Sequence, residues 1–346
     1  MEEKFRTAIV GCGAIAQTHL RTMKKMNGLK IMAVCDRDEK KAIEASAKWN
    51  IDRYYTDFSK MLDNEDVSLV SILTPPGSHA SLSVEAIKRG INVLVEKPLT
   101  MTTKEANPIM MALKKSNVKL TVDYSWLFSK AMLKALSLIR KQEIGDILNV
   151  EIKALHTGKD HMTSDQNHWC HKLPGGRIGE MLPHPVYALQ SILGDNLQIK
   201  EMFALKHGDR PWMSYDELRV TLQSTRSLGS MYISFNAARD ANLVDVYGTK
   251  KILKIDLTNQ TVIGLGFRKW GSKLDSGKDS LRLSYKLALS TLKNTFDFLL
   301  LGKGEYALRN LYAMFIDNIK RDTEPLVTSK MAYNTVRIVE EICQGI

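Results

Sequence analysis

Residues 1–123 predict a doubly wound α/β domain, and residues 124–346 an α+β domain built on a mostly antiparallel sheet. Three observations support this. Up to residue 123, short apolar runs alternate with amphipathic stretches of ten or more residues, the pattern of βαβ units around a buried parallel sheet. Past residue 123 the apolar runs lengthen and alternate in polarity residue by residue, as strands do when one face packs on helices and the other meets water. The third is length: 346 residues exceed the ~100–200 of a single typical domain.

The elements follow in order. Residues 5–10 form an apolar run that stops at glycine, and 14–26 have helical spacing. Residues 29–35 are apolar again and 38–49 are charged and amphipathic. Residues 67–73 predict a strand that stops at Thr74-Pro75-Pro76. A helix over 79–88 ends at Gly90, a residue type suited to the left-handed helix terminus. Residues 91–95 and 118–122 predict two further strands. Right-handed crossovers then place helices on both faces of the sheet. In the second domain a helical run over 130–140 leads through Gly145-Asp146 into a strand over 147–155. Strands are predicted over 218–223, 227–235, 243–248 and 251–257, the last two joined at Thr249-Lys250. Residues 305–321 and 329–342 predict closing amphipathic helices that pack back on the first domain. Residues 264–306 are rich in Gly and Lys and fit no period.

Composition narrows the function classes. The chain is 44% hydrophobic and 25% charged, which excludes disorder, collagen-like repeats and a disulfide-stapled miniprotein. Its net charge of +11 divides as +4 over residues 1–123 and +7 over 124–346. A nucleic-acid binder concentrates such charge in one module, so no nucleic-acid partner is expected. Cys12, Cys35, Cys170 and Cys343 show no CxxC pair and no zinc-ligand spacing, which points to reduced thiols in a cytoplasmic protein. The N-terminus has no signal-peptide pattern. The longest apolar run, near 296–301, is far shorter than the ~20 residues of a membrane helix, so no membrane partner is expected.

The sharpest local signal is Gly11-Cys12-Gly13-Ala14-Ile15-Ala16, between the first strand and the first helix. Glycines there let the backbone turn tightly and approach a pyrophosphate, and the helix N-terminus offers free N–H groups to it. Ala16 takes the helix-packing position. Asp36 ends the second strand 20 residues after Ala16, where a carboxylate can accept the hydrogens of a ribose diol. Gly11, Gly13, Ala14, Ile15 and Asp36 therefore form a Rossmann-type dinucleotide site. Asp36 favours NAD, since its charge repels a 2′-phosphate, whereas the adjacent Arg37 suits NADP and leaves that cofactor open.

Three further motifs join this one: Thr74-Pro75-Pro76-Gly77-Ser78-His79, Glu96-Lys97-Pro98-Leu99, and Gly175-Gly176 followed by Glu180 and His184. Together they resemble the glucose–fructose oxidoreductase, inositol dehydrogenase and rhizopine-catabolism (Gfo/Idh/MocA) family over nearly the whole chain. The resemblance implies an N-terminal Rossmann domain and a C-terminal domain on a large, open, mostly antiparallel sheet, with the active site between them. It also implies a homodimer or homotetramer. By the same resemblance Thr74, Pro75, His79 and Glu96 border the cofactor, and Lys97 contacts cofactor and substrate. The chain departs from the family pattern at Glu180 (Asp in the family), Leu182 (Gly), Tyr187 (Asp) and Leu127 (often Arg).

The implied activity is hydride transfer between nicotinamide C4 and a secondary alcohol carbon of a sugar, cyclitol or sugar derivative. Such chemistry needs a base for the hydroxyl proton. Lys97 leaves the sheet's carboxyl edge just before a proline, where doubly wound sheets bind ligands. Pro183 and Pro185 mark a helix start that puts His184 at a positive helix end, which favours a neutral imidazole near pH 7. Lys97 and His184 are thus the expected proton-handling groups, with Glu180 in support. His156, His161, His168 and His171 are spaced by five, seven and three residues, which fits no zinc pattern, so no metal is expected. That segment predicts a substrate-lining loop in which Trp169 and Tyr124 face a sugar ring and His168 donates to hydroxyls. Two other readings stay open: an NAD-dependent glycoside hydrolase on the same scaffold, and a cofactor-binding regulatory protein without turnover.

Overall fold

The computed structural model describes residues 4–266 and 305–346, together with scattered positions between 277 and 295. The chain divides into two compact units, one of residues 1–125 and 304–337, the other of residues 126–303 and 338–346. The unplaced stretch 264–306 and the apolar run near 296–301 lie mostly outside the described residues. Among the described residues no helix is long and apolar enough to cross a membrane.

The first unit is a six-stranded parallel sheet. Its strands are β1 (Phe5–Val10), β2 (Leu29–Cys35), β3 (Tyr54–Tyr55), β4 (Leu69–Ile72), β5 (Asn92–Val95) and β6 (Leu120–Val122), in the order β3-β2-β1-β4-β5-β6. Ala8, Ile9, Leu69, Val70, Ile72 and Val93 are fully buried, as strands covered on both faces must be. The crossovers are α1 (Ala14–Lys24), α2 (Glu39–Trp49), α3 (Phe58–Asn64), α4 (His79–Lys88) and α5 (Thr103–Leu113). Asp38 and Asp57 cap α2 and α3 by accepting the N–H of Lys41 and Lys60. Thr102 and Glu105 form a reciprocal capping box at α5. The sequence reading omits α3, α5 and the two-residue β3. In α5 an internal Pro108 breaks the pattern that marks a helix.

The second unit carries α6 (Lys130–Arg140), α7 (His161–Ser164), α8 (Gly176–Met181) and α9 (Pro183–Leu193). Its strands are β7 (Ile147–Leu155), β8 (Gln198–Leu205), β9 (Glu217–Gln223), β10 (Leu228–Ser234), β11 (Ala241–Gly248), β12 (Lys251–Asp256) and β13 (Thr261–Gly266). They form one open sheet in the order β13-β12-β11-β7-β10-β9-β8, antiparallel except where β7 pairs with β10. On β7, Val150, Ile152 and Ala154 are buried and alternate with half-buried Glu151 and Lys153, and α9 packs on β7 and β10. The strands β8 and β13 are absent from the sequence reading.

The closing helices are α10 (Glu305–Arg321) and α11 (Ser329–Gly345). Through Arg337 they group with the first unit: His19 Nδ1 lies 2.8 Å from Tyr312 Oη, and Thr121 Oγ1 donates to the Val327 carbonyl at 3.1 Å.

Candidate active site

The carboxyl ends of β1, β4, β5 and β6 gather the candidate residues of the first unit. Gly11 follows β1 with φ +93°, and a Cβ there would stand 2.7 Å from the Leu73 carbonyl group at the end of β4. No other residue fits that position. Gly13, the N-cap of α1, is different: a Cβ there would meet no protein atom within 4 Å. No side chain caps α1, so its first N–H groups face outward. Ala14 and Ile15 are exposed beside them, while Ala16 is fully buried. A glycine with open space before it, an uncapped helix N-terminus and an exposed isoleucine fit the pyrophosphate of a dinucleotide.

Asp36 follows β2 and accepts the Cys12 N–H at 2.8 Å through one carboxylate oxygen and the Asp38 N–H at 2.9 Å through the other. The acid therefore braces the glycine turn from below. Arg37 beside it is exposed. Burial raises both neighbouring thiols, Cys12 and Cys35, to pKa values of about 12, which keeps them protonated.

At the ends of β4 and β5, Thr74 is half-buried and Pro75 exposed. His79, the first residue of α4, has no exposed surface. Its Nε2 lies 2.7 Å from the Thr74 carbonyl oxygen and its Nδ1 2.9 Å from that of Pro98. His79, expected beside the nicotinamide, thus ties the Thr-Pro-Pro loop to the Glu-Lys-Pro loop, with both ring nitrogens engaged and no surface exposed. Lys97 is half-buried, joined to Pro98 by a cis peptide bond, and its N–H donates to Glu96 Oε2 at 2.7 Å. The other oxygen of Glu96 is 3.8 Å from His19 Nε2, and Asp123 Oδ2, after β6, is 3.4 Å from the same nitrogen. Burial alone would favour the neutral imidazole of His19, but Tyr312, Asp123 and Glu96 outweigh it and raise its pKa well above the ordinary value.

In the second unit α9 begins at Pro183, which sets His184 in the first helical turn. His184 Nδ1 lies 2.7 Å from Tyr187 Oη, and its ring stacks on Trp126 at 5.0 Å between centroids. Tyr187 is fully buried and its hydroxyl also accepts the Trp126 N–H at 3.2 Å. On α8, Glu180 pairs with Arg177, a buried guanidinium that also donates to Thr163 Oγ1 and lies 3.5 Å from Asp160. Arg177 also rests 4.6 Å over the Phe235 ring.

Residues 5–124 match the Gfo/Idh/MocA oxidoreductase family with its NAD-binding Rossmann fold, and residues 132–254 match the Gfo/Idh/MocA C-terminal domain. The chain belongs to the Gfo/Idh/MocA family. Oxidoreductase P35 of Formosa agariphila is 28% identical over 206 residues, 58% of this chain and 64% of that protein. Inositol 2-dehydrogenase of Salmonella typhimurium is 28% identical over 227 residues, 65% of each chain. The alignments thus span less than two thirds of either relative. A crystal structure of the WlbA dehydrogenase from Bordetella pertussis, in complex with NADH and UDP-GlcNAcA, superposes with a TM-score of 0.80 at 17% identity, covering 100% of this chain and 97% of that one. Myo-inositol 2-dehydrogenase from Lactobacillus plantarum gives 0.75 at 17% identity, covering 99% and 97%. At such identities the likeness is one of fold.

In this Gfo/Idh/MocA chain the residues expected to line a substrate differ in exposure. Tyr124, expected to face a sugar ring, is fully buried; Trp126, two residues on, is half-buried and stacks on His184. Trp169 is 49% exposed. His168 Nδ1 accepts the Cys170 N–H at 3.3 Å, so it caps a short helical turn. Three residues that contact the candidates escaped the sequence reading: Arg177 beside Glu180, Trp126 beside His184, and His19 beside Glu96. For Arg177 the signal was present, since a charge three residues before Glu180 on a helix shares its face. The partners of His19 are distant in sequence, and no local pattern announces them.

Proposed function

We propose that the chain is an NAD-dependent oxidoreductase that passes a hydride between the nicotinamide and a secondary alcohol carbon of a sugar, cyclitol or sugar derivative. The observation that carries this reading is the glycine turn: Gly11 locked against Leu73, Gly13 open in front, and Asp36 beneath. When bound, NAD supplies the hydride acceptor. Asp36 keeps lone pairs on both oxygens for a ribose diol, and its charge opposes a 2′-phosphate. Lys97 donates to the alcohol oxygen. His184 receives the hydroxyl proton: Tyr187 Oη can accept Nδ1–H, and that tautomer leaves the Nε2 lone pair as base. Trp126, stacked under the imidazole, keeps its plane fixed. Glu180, neutralised by Arg177, offers a carboxylate oxygen to a substrate hydroxyl. The names of the relatives, inositol 2-dehydrogenases and sugar dehydrogenases, support a polyhydroxylated ring as substrate.

The test is an absorbance screen for reduced nicotinamide, with NAD and NADP each offered a panel of sugars and polyols. Turnover with NAD is expected, and Lys97→Ala is expected to keep NADH affinity while losing most of kcat. A Lys97→Ala variant that turns over at the wild-type rate removes the role given to Lys97. Glycoside cleavage with no net reduced nicotinamide would favour the hydrolase reading.

A further inference from the structure

The first unit contains a polar network that the proposed chemistry leaves unused. Ser71 on β4 places its Oγ 2.9 Å from Tyr312 Oη on α10, and that oxygen lies 2.8 Å from His19 Nδ1 on α1. Ser71, Tyr312 and His19 are all fully buried. The other face of the imidazole meets Asp123 after β6 and Glu96 after β5, whose side chains are 7% and 14% exposed. One polar side-chain atom from each of His19, Glu96 and Asp123 lies within 4.8 Å of the other two. The network ends at the Lys97 N–H, held by the second oxygen of Glu96.

Charge explains why these groups belong together. Two carboxylates at this depth repel each other and lose hydration, costs that a cation beside both offsets. His19 is the basic side chain whose ring points at both. Its Nδ1 side is fixed by Tyr312, so Nε2–H is aimed at the acids.

We propose that His19 is a positioning residue for Lys97: as an imidazolium it pins Glu96, and Glu96 fixes the backbone from which the lysine leaves the sheet. This inference rests on the role given to Lys97 above. A second consequence concerns α1 itself, since the helix that opens on the dinucleotide turn also anchors the lysine loop five residues later.

The experiment compares wild type with His19→Gln, which keeps a polar group near Tyr312 and removes the charge. Three readouts are taken: NADH binding by fluorescence titration, the rate at which trinitrobenzenesulfonate modifies Lys97 (by peptide mass mapping), and kcat with the best alcohol of the screen. His19→Gln is expected to bind NADH within about twofold of wild type and to lose kcat by about tenfold to a hundredfold, as a slightly misplaced catalytic group does. Lys97 is expected to be modified several-fold faster. Adding Asp123→Asn to His19→Gln removes the surplus carboxylate and is expected to restore part of kcat and the slower modification, which a merely structural loss would not. If His19→Gln does not accumulate folded, Tyr312→Phe takes its place, deleting only the hydroxyl at Nδ1, with the same readouts. Unchanged Lys97 modification and kcat in the folded variant overturn the inference, as does a metal ion found bound at one per chain and released by the substitution. Should Lys97→Ala itself turn over normally, the parent reading fails; labelling still reports whether His19 fixes the loop.

Discussion

Gly11 and Gly13 are two residues apart and face opposite demands. A side chain at Gly11 would carry a left-handed φ and press on the Leu73 carbonyl, so Gly11→Ala is expected to cost at least roughly 1–3 kcal/mol, seen as a lower midpoint in urea unfolding. At Gly13 a methyl meets no protein atom, so Gly13→Ala should leave stability within about 0.5 kcal/mol. It should nonetheless weaken NADH binding about tenfold, roughly 1.4 kcal/mol, because the methyl occupies the space the pyrophosphate needs. Equal NADH affinity in Gly13→Ala and wild type would show that the cofactor lies elsewhere. In the second unit, Tyr187→Phe removes the oxygen shared by His184 and the Trp126 N–H. The expected result is a loss of about 1–3 kcal/mol and, with the imidazole free to tilt, a kcat lowered about tenfold or more. At this scale the glycines were legible because their chemistry is local. The burial of Tyr124 was not, because two aromatics two residues apart look alike in sequence and only packing decides which one is buried.

The segment from the end of β7 to α8 is held by one buried cation and by histidines that resist protonation. Arg177 lies over Phe235 at 4.6 Å, and His156 stacks on the same ring at 5.3 Å. Burial first, and the nearby Arg177 second, lower the His156 pKa below its ordinary 6.5; burial likewise lowers His171. A histidine with a depressed folded pKa contributes stability that is complete above its unfolded pKa and is lost as pH falls below it. Thermal midpoints are therefore expected to fall as pH drops from 6.5 towards the folded values, with a gentler slope in His156→Gln. A slope identical in the variant would shift the cause to other groups. Elements were read best where one period rules. The sequence bounds of β1, β2, α4, α6, β7 and α10 coincide with the observed ones, whereas α5 hides behind Pro108. The strand β8 alternates, but Phe203 and Leu205 lie on its exposed face, 60% and 67% exposed, so its pattern lacks the buried apolar row by which a strand is recognised.

Across the whole chain, the change of rhythm near residue 123 was visible, but the return of residues 304–337 to the first unit rests on contacts between residues some 200 to 300 positions apart. Periodicity says that α10 is amphipathic and nothing about which core its apolar face completes. That return makes the first unit dependent on the far end of the polypeptide. Without residues 304–337, His19 Nδ1 and Ser71 Oγ lose Tyr312, and Thr121 loses the Val327 carbonyl. Each buried group left unpaired costs about 1–3 kcal/mol, before the loss of buried Leu311, Tyr312 and Phe315. A fragment of residues 1–125 is therefore expected to show no cooperative melt and no NADH quenching. The same fragment followed by a flexible linker and residues 304–337 is expected to regain both. If residues 1–125 alone melt cooperatively and bind NADH as the full chain does, α10 is an ornament on a self-sufficient nucleotide fold, and the buried tyrosine contributes nothing to holding its cofactor helix.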